Sequence, residues 1–239
     1  MGIVPESFGG WLDDLANGII ITVLITLVGA LCALVLAFIL GLMARMKSLA
    51  VRGFARVVIE FFRGTSLLIQ LFWLYYVLPQ LGYRLDAFAV AVVALALNFG
   101  AYGAEVVRGA INAIPREQAE ATVALNMNAY QRMRRVILPQ AIVGMIPPFG
   151  NLLIQLLKST PLVYTITLVD ITAVTQNYRD AEGHTLFIFS LSLVLYFVIA
   201  YAFTLIMNAL EARAKVAAGV SDPRGKFSIW QLQRPGDGW

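Results

Sequence analysis

The sequence predicts an all-α integral membrane protein of about five transmembrane helices, and three observations carry that prediction. First, AVILMFWYC residues make up 59% of the 239 positions, charged residues only 13%, and mean hydropathy is +0.77. A water-soluble domain needs roughly twice that charged fraction to wet its surface, so the excess apolar surface has to face lipid. Second, apolar runs recur at the length a bilayer core of about 30 Å demands, roughly 20 residues at about 1.5 Å rise each. Third, the basic residues between those runs fall almost entirely on one side.

The first run, Ile19 to Met43, holds no charge. The second covers Ser66 to Leu81, with a helix-like stretch before it. The third runs from Ala87 to Val107 and the fourth from Ala141 to Leu157, where Pro147, Pro148 and Gly150 are expected to interrupt the helix. The fifth, Leu186 to Leu210, is as clean as the first. Lys and Arg collect in short cytoplasmic loops. Arg45, Lys47, Arg52, Arg56 and Arg63 follow the first span. Arg108, Arg116, Arg132, Arg134 and Arg135 follow the third, and Arg213, Lys215, Arg224, Lys226 and Arg234 follow the fifth. That is fifteen of eighteen basic residues on one side, with only Arg84, Lys158 and Arg179 elsewhere. The expected layout is an extracytoplasmic N-terminal segment over 1–15, a membrane domain over 16–212 and a cytoplasmic tail over 213–239. Met1 to Asp14 lacks a basic n-region and the run after it is too long for a signal-peptide core, so no secretory signal is expected.

Several chemistries drop out. The net charge of +4 is accounted for by the cytoplasmic loops and calls for no nucleic-acid partner. Cys32 is the single cysteine, which excludes an intrachain disulfide and a cysteine metal cluster. His184, the lone histidine, offers no zinc pair and no Ser–His–acid set; it is expected in an exposed turn. Gly219 to Lys226 misses a P-loop by one residue of spacing and by Phe227 where Ser or Thr is required. No catalytic residue, metal ligand or cofactor of the chain's own is expected.

The loop between the third and fourth spans is the most structured of the connections. Pro115 suits the first helical position, and Glu117 and Glu120 sit near the positive end of that helix. Asn126 tolerates the left-handed conformation that stops a helix. Asn128 with Gln131 three residues on reads as a capping box opening a second helix, which ends near Pro139. A helix–turn–helix pinned to the bilayer at both ends is a docking surface for a soluble partner, or else a solvated connector. Glu120-Ala121-Thr122, then Asn126, then Val136-Ile137-Leu138-Pro139 resembles the EAA loop of binding-protein-dependent ABC importer permeases, with the family's spacing kept throughout. Thr122, Asn126 and Val136 stand where the family has Ala, Gly and Ile. Glu60 to Ser66, Ala101 to Gly109 and Pro147 to Asn151 through Lys158 are similar to the polar amino acid permease branch, and within it the wording is nearest the ectoine/hydroxyectoine permeases. The resemblance spans Ala16 to Leu210. It implies the type I importer permease fold in the inner membrane, ATPase docking over 109–140 at Glu117, Glu120, Ala121, Leu125 and Asn126, and a second permease copy or paralogue. It further implies two ATPase subunits that bind ATP and Mg, and an extracytoplasmic solute-binding protein.

Polar residues within spans are costly and therefore informative. Asn98, Tyr102 and Glu105 share one face of the third span by their i, i+4, i+7 spacing, and Asn151, Gln155 and Lys158 do the same on the fourth. With Thr160, they either line a translocation path or bond neighbouring helices together. Arg52, Arg56, Glu60 and Arg63 form a further stripe, expected to anchor an interfacial helix. Relatives similar at Leu157-Lys158 often place an acidic residue next, where this sequence has Ser159. A zwitterionic or weakly polar solute, amino acid or ectoine, is therefore expected rather than a cation, with Glu105 the group able to reverse that preference. An ion-coupled transporter would call for inverted repeats and buried carboxylates, a membrane enzyme for a catalytic set, and neither is visible; an ion-coupled secondary transporter or a structural membrane subunit is the alternative reading.

Overall fold

The computed structural model describes residues 8–217, all of them in helices and the turns between. Among the described residues four helices are long and apolar enough to cross a bilayer, and a helix pair bent by 103° passes the same test when its two halves are taken together. Helix α1 runs Phe8–Met43, so it begins well before Ile19 and takes in half of the expected N-terminal segment. Its early residues Trp11 and Leu15 are buried against Ile171 and Val174.

The second span is the least regular. Helix α2 (Leu49–Gly64) stops at an extended Thr65 and turns by 103° into α3 (Leu67–Phe72), which continues as a π turn over Trp73–Val77 and a 3-10 turn over Leu78–Leu81. Helix α4 (Ala87–Asn112) is N-capped by Asp86, which accepts from Ala89 N–H at 3.1 Å, and is the core of the bundle: Val90, Ala91, Ala94, Leu95, Ala101, Ala104 and Val107 are fully buried. Lipid supplies no hydrophobic drive between helices, so close approach has to come from small residues. A Cβ on Gly103 would lie 2.7 Å from Ala37 Cβ and 3.0 Å from Phe149, and one on Gly100 would lie 2.9 Å from Leu36 Cβ.

The connection that follows contains α5 (Arg116–Ala124) and α6 (Ala129–Arg132). The second of these was expected to end near Pro139. It instead passes through a π turn, Met133–Ile137, directly into α7 (Leu138–Ser159). The wider turn comes just before Pro139, whose ring and missing N–H a regular helix could not accommodate. The expected break at Pro147, Pro148 and Gly150 is also absent: α7 is continuous through all three. Gly150 is a packing residue, since a Cβ there would stand 3.2 Å from Met207.

A 3-10 turn (Thr160–Ile166) leads to α8 (Ile171–Glu182), an element that hydropathy did not disclose, and α9 (Thr185–Ala217) closes the bundle. His184 lies exposed in the turn before α9, as expected. The near-miss glycine segment from Gly219, and Arg224, Lys226 and Arg234, fall outside the described residues.

Candidate functional site: a docking helix and a membrane trough

At one end of the bundle, the α5–α6 turn is fixed by backbone bonds. Asn126 N–H donates to Val123 O at 2.9 Å and Met127 N–H to Thr122 O at 3.0 Å, with Asn126 at φ 55°. That pair of bonds is a Schellman stop with Asn126 in the left-handed position glycine usually takes. Asn128 and Gln131 then close a reciprocal capping box at 2.9 and 3.1 Å. Pro115 occupies the cap itself, one residue earlier than expected. Glu117, Glu120, Ala121, Leu125 and Asn126 are all exposed, Leu125 at 71% and neighbouring Val123 at 59%. Thr122, where the family pattern has Ala, points inward and donates to Ala119 O at 2.6 Å. Arg134, Arg135 and Tyr130 border the same surface around an open polar basin of about 560 Å³. The loop therefore presents carboxylates and bare apolar side chains on a rigid turn.

Within the membrane, α4 and α7 pack through Gly103, Val107 and Ile111 on one side and Phe149, Met145 and Ala141 on the other. Leu95 and Leu156 join one cluster farther along, so the two helices run antiparallel. Side chains step round a helix by about 100° per residue. Tyr102 precedes the contact residue Gly103, and Gly144 and Pro148 precede Met145 and Phe149. Both helices thus turn their polar stripes away from the contact in the same rotational sense, which in an antiparallel pair opens them on the same flank. On α7 the exposed stripe comprises Gln140, Gly144, Asn151, Gln155 and Lys158. The sequence reading caught its last half and missed Gln140, although the i, i+4 spacing extends to it.

The far wall of this trough is the α2–α3 elbow. Asn98 is nearly buried and donates to Phe62 O at 3.0 Å, and Tyr102 OH donates to Arg63 O at 3.3 Å. These two side chains satisfy carbonyls left open where α2 ends. Arg63, in the last turn of α2, lies over the Tyr102 ring at 5.3 Å. Glu105 is bound by Arg108 through both oxygens, the closest contact 2.5 Å, with Arg56 and Arg63 adding positive field. Thr160 is fully buried and donates to Leu157 O at 2.8 Å, so it does not reach the trough. An apolar cavity of about 300 Å³ lies among Leu31, Leu34, Leu153 and Met207.

At the opposite end, Asp170 is buried and caps α8 through Ala173 N–H at 2.9 Å, while Tyr196 OH on α9 donates to it at 3.0 Å. Burial pushes its carboxyl above the ordinary carboxylate range despite those bonds. Thr22 on α1 accepts from Ile171 N–H at 3.3 Å. Tyr75 OH bonds Thr167 Oγ1 at 2.8 Å and ties the π turn after α3 to the same corner.

Residues 26–216 match the binding-protein-dependent transport system inner membrane component. The chain belongs to that family. This inner-membrane component is 42% identical over 217 residues to the Probable amino-acid ABC transporter permease protein y4tF of Sinorhizobium fredii, covering 88% of this chain and 91% of that one. It is 33% identical to the L-cystine transport system permease protein TcyB of Bacillus subtilis (88% and 89% covered). The glutamine transport system permease protein GlnP of Escherichia coli is also 33% identical (84% and 93%). The crystal structure of an amino acid ABC transporter with histidines superposes with a TM-score of 0.82 at 30% identity, over 89% of this chain and 100% of that chain. Family membership makes this component a multi-pass protein of the bacterial inner membrane that works with a separate ATPase and a solute-binding protein.

Proposed function

We propose that this chain is the permease subunit of an ATP-driven importer of amino acids, and that solute moves along the α4–α7 trough. One observation carries the path: Gln140, Asn151, Gln155 and Lys158 stand exposed along a membrane-crossing helix, with Tyr102 on the same flank. Exposed amides such as Asn151 and Gln155 within a span are expensive against lipid and are tolerated against water or protein. A second permease copy set across the trough would turn an open flank into an enclosed aqueous route, so the working unit is a pair. The basic loops put the α5–α6 end in the cytoplasm and α8 outside. ATP-driven closure of the ATPases then pushes on the rigid Schellman turn at Asn126, and α7, joined to α6 without a break, carries the push into the bundle.

The solute class follows from the charges. Glu105 is the acid best placed to select a cation, and Arg108 already holds both its oxygens. Asn151 and Gln155 donate and accept, which suits a neutral or zwitterionic amino acid. The glutamine and cystine permeases among the relatives agree with that class and lend ectoine no support. Uptake in proteoliposomes holding the permease, its ATPase and its binding protein tests this against glutamine, cystine, ectoine, arginine and lysine. Preference for glutamine or cystine is expected, and preference for lysine or arginine would overturn it.

A further inference from the structure

Gln70, only 8% exposed, turns its amide nitrogen to the α2–α3 elbow. Nε2 donates to Thr65 Oγ1 at 2.7 Å, to Phe62 O at 3.0 Å and, at 3.4 Å, to Thr65 O. The Thr65 hydroxyl in turn donates to Phe61 O at 2.9 Å. The other branch of the amide is left over: Oε1 is buried and has no hydrogen-bond partner among the described residues. Such an orphaned acceptor bears its full desolvation penalty, which native structures rarely leave standing. Turning the amide over gives no relief, because it would set Oε1 against the Phe62 and Thr65 carbonyls. Gln70 also lines a groove of about 430 Å³ between α2, α3 with its π turn, and α4. Apart from Gln70 and Thr65 its walls are apolar, formed by Phe61, Phe62, Ile69, Trp73 and Leu97 with Leu74. Phe61, Ile69 and Trp73 are about half exposed, so the groove is open along its outer side.

We propose that this groove binds a small apolar alcohol from the lipid phase, its hydroxyl donating to Gln70 Oε1. An apolar chamber with one placed polar group is the usual make-up of a small-molecule site. A plain hydrocarbon, a lipid acyl chain included, fills the walls and leaves Oε1 orphaned. A charged or many-hydroxyl solute meets walls that return it no hydrogen bonds. An alcohol answers both parts of the site, and the volume falls near the small end of the range for such sites, about 300–1,000 Å³, room for one medium-chain or aromatic body. Occupation also acts on the elbow. A donor on Oε1 polarises the amide and strengthens the bonds that Nε2 gives to Thr65 and Phe62, so the bound alcohol stiffens the 103° bend. The site stands whether or not solute follows the α4–α7 flank.

Photolabelling of the permease–ATPase complex in nanodiscs tests this. The probe is a diazirine-bearing octanol, mapped by peptide mass spectrometry; the competitors are 1-octanol and octyl methyl ether, compared at equal membrane concentration. The ether keeps the apolar body and loses the O–H. Label is expected within residues 61–74, and octanol is expected to displace it at about 3- to 10-fold lower concentration than the ether, the span of one neutral hydrogen bond. Ile69→Trp, which narrows the groove without touching the amide, should cut labelling several-fold. Gln70→Leu should abolish the preference for octanol over ether; should it fail to assemble because the elbow clamp is gone, the wild type and Ile69→Trp decide between them. Absence of label from 61–74, as when a second permease copy or an acyl chain fills the groove, overturns the proposal. Equal displacement by the two competitors, unchanged labelling in Ile69→Trp, or a preference for octanol that survives Gln70→Leu does the same.

Discussion

Replacing Asn126 by Val separates the backbone geometry of the docking turn from everything else the loop does. At φ 55° an L-residue bears about 1–2 kcal/mol of left-handed strain. Asn offsets part of this through local hydrogen bonding, whereas a β-branched side chain bears it in full. If the turn yields, the bonds from Asn126 N–H to Val123 O and Met127 N–H to Thr122 O open as well, at about 1 kcal/mol each. The loss is then about 1–2 kcal/mol if the turn holds and about 2 if it opens, because opening releases the strain. At about 1.4 kcal/mol per factor of ten, the docking-competent population falls at least several-fold. Asn126→Gly removes the strain at a chain-entropy cost below about 1 kcal/mol and should be close to neutral. The readouts are ATPase recovered with the tagged permease and solute imported per ATP hydrolysed, with membrane insertion as the control. Asn126→Val is expected to lower both readouts while inserting normally. Wild-type coupling in Asn126→Val, or equal damage from Asn126→Gly, would refute the assignment of this turn to docking.

Three further perturbations probe other parts of the molecule. Glu120→Lys reverses an exposed charge on α5 and should uncouple ATP hydrolysis from uptake or weaken assembly while insertion persists; normal complex recovery with normal uptake counts against it. Gly103→Val places a methyl-bearing carbon 2.7 Å from Ala37 Cβ, and overpacking of this kind costs about 1–3 kcal/mol, visible as a lowered midpoint in detergent melting. At Asp170, burial holds the folded-state carboxyl above its ordinary value. The folded state therefore binds the proton more tightly, and the linked stability is present at low pH and lost as pH rises above about 4 toward the raised value. Melting of the wild type should show that decline and Asp170→Asn should not; identical pH profiles would mean Asp170 does not titrate in this window.

Much of the fold was legible because lipid imposes a length that few soluble elements reach, and the clean runs around Ile25 and Leu195 meet it without ambiguity. The α5–α6 turn was legible for a different reason: Asn126, Asn128 and Gln131 act on backbone groups within five residues, so their chemistry is local. Pro147 and Pro148 misled because a local breaker was weighed without the neighbours; inside a bundle α7 stays helical and Gly150 serves Met207 instead. Helix α8 was missed because its signals, the Asp170 cap and the Gly183 stop, bound a stretch too short and too polar to register as a span. Periodicity placed Asn98 and Tyr102 on one face, but it names a face and not what lies opposite. The 103° elbow that brings Phe62 O, Arg63 O and the Arg63 guanidinium onto that face has no sequence signature beyond Gly64.

The path itself is tested most directly by thiol accessibility. Cys32 is the single native cysteine, so a Cys32→Ser background can carry Gln155→Cys or Asn151→Cys on the trough and Leu193→Cys on the outer face of α9, 74% exposed. Each is reconstituted with ATPase and binding protein and challenged with a charged, membrane-impermeant methanethiosulfonate reagent. The trough positions are expected to react quickly, to change rate when ATP and loaded binding protein are added, and to be protected by transported amino acid, while Leu193→Cys stays unreactive. Trough cysteines no more reactive than Leu193→Cys, and indifferent to ATP and solute, would show that the α4–α7 flank faces lipid or protein and that the solute travels elsewhere.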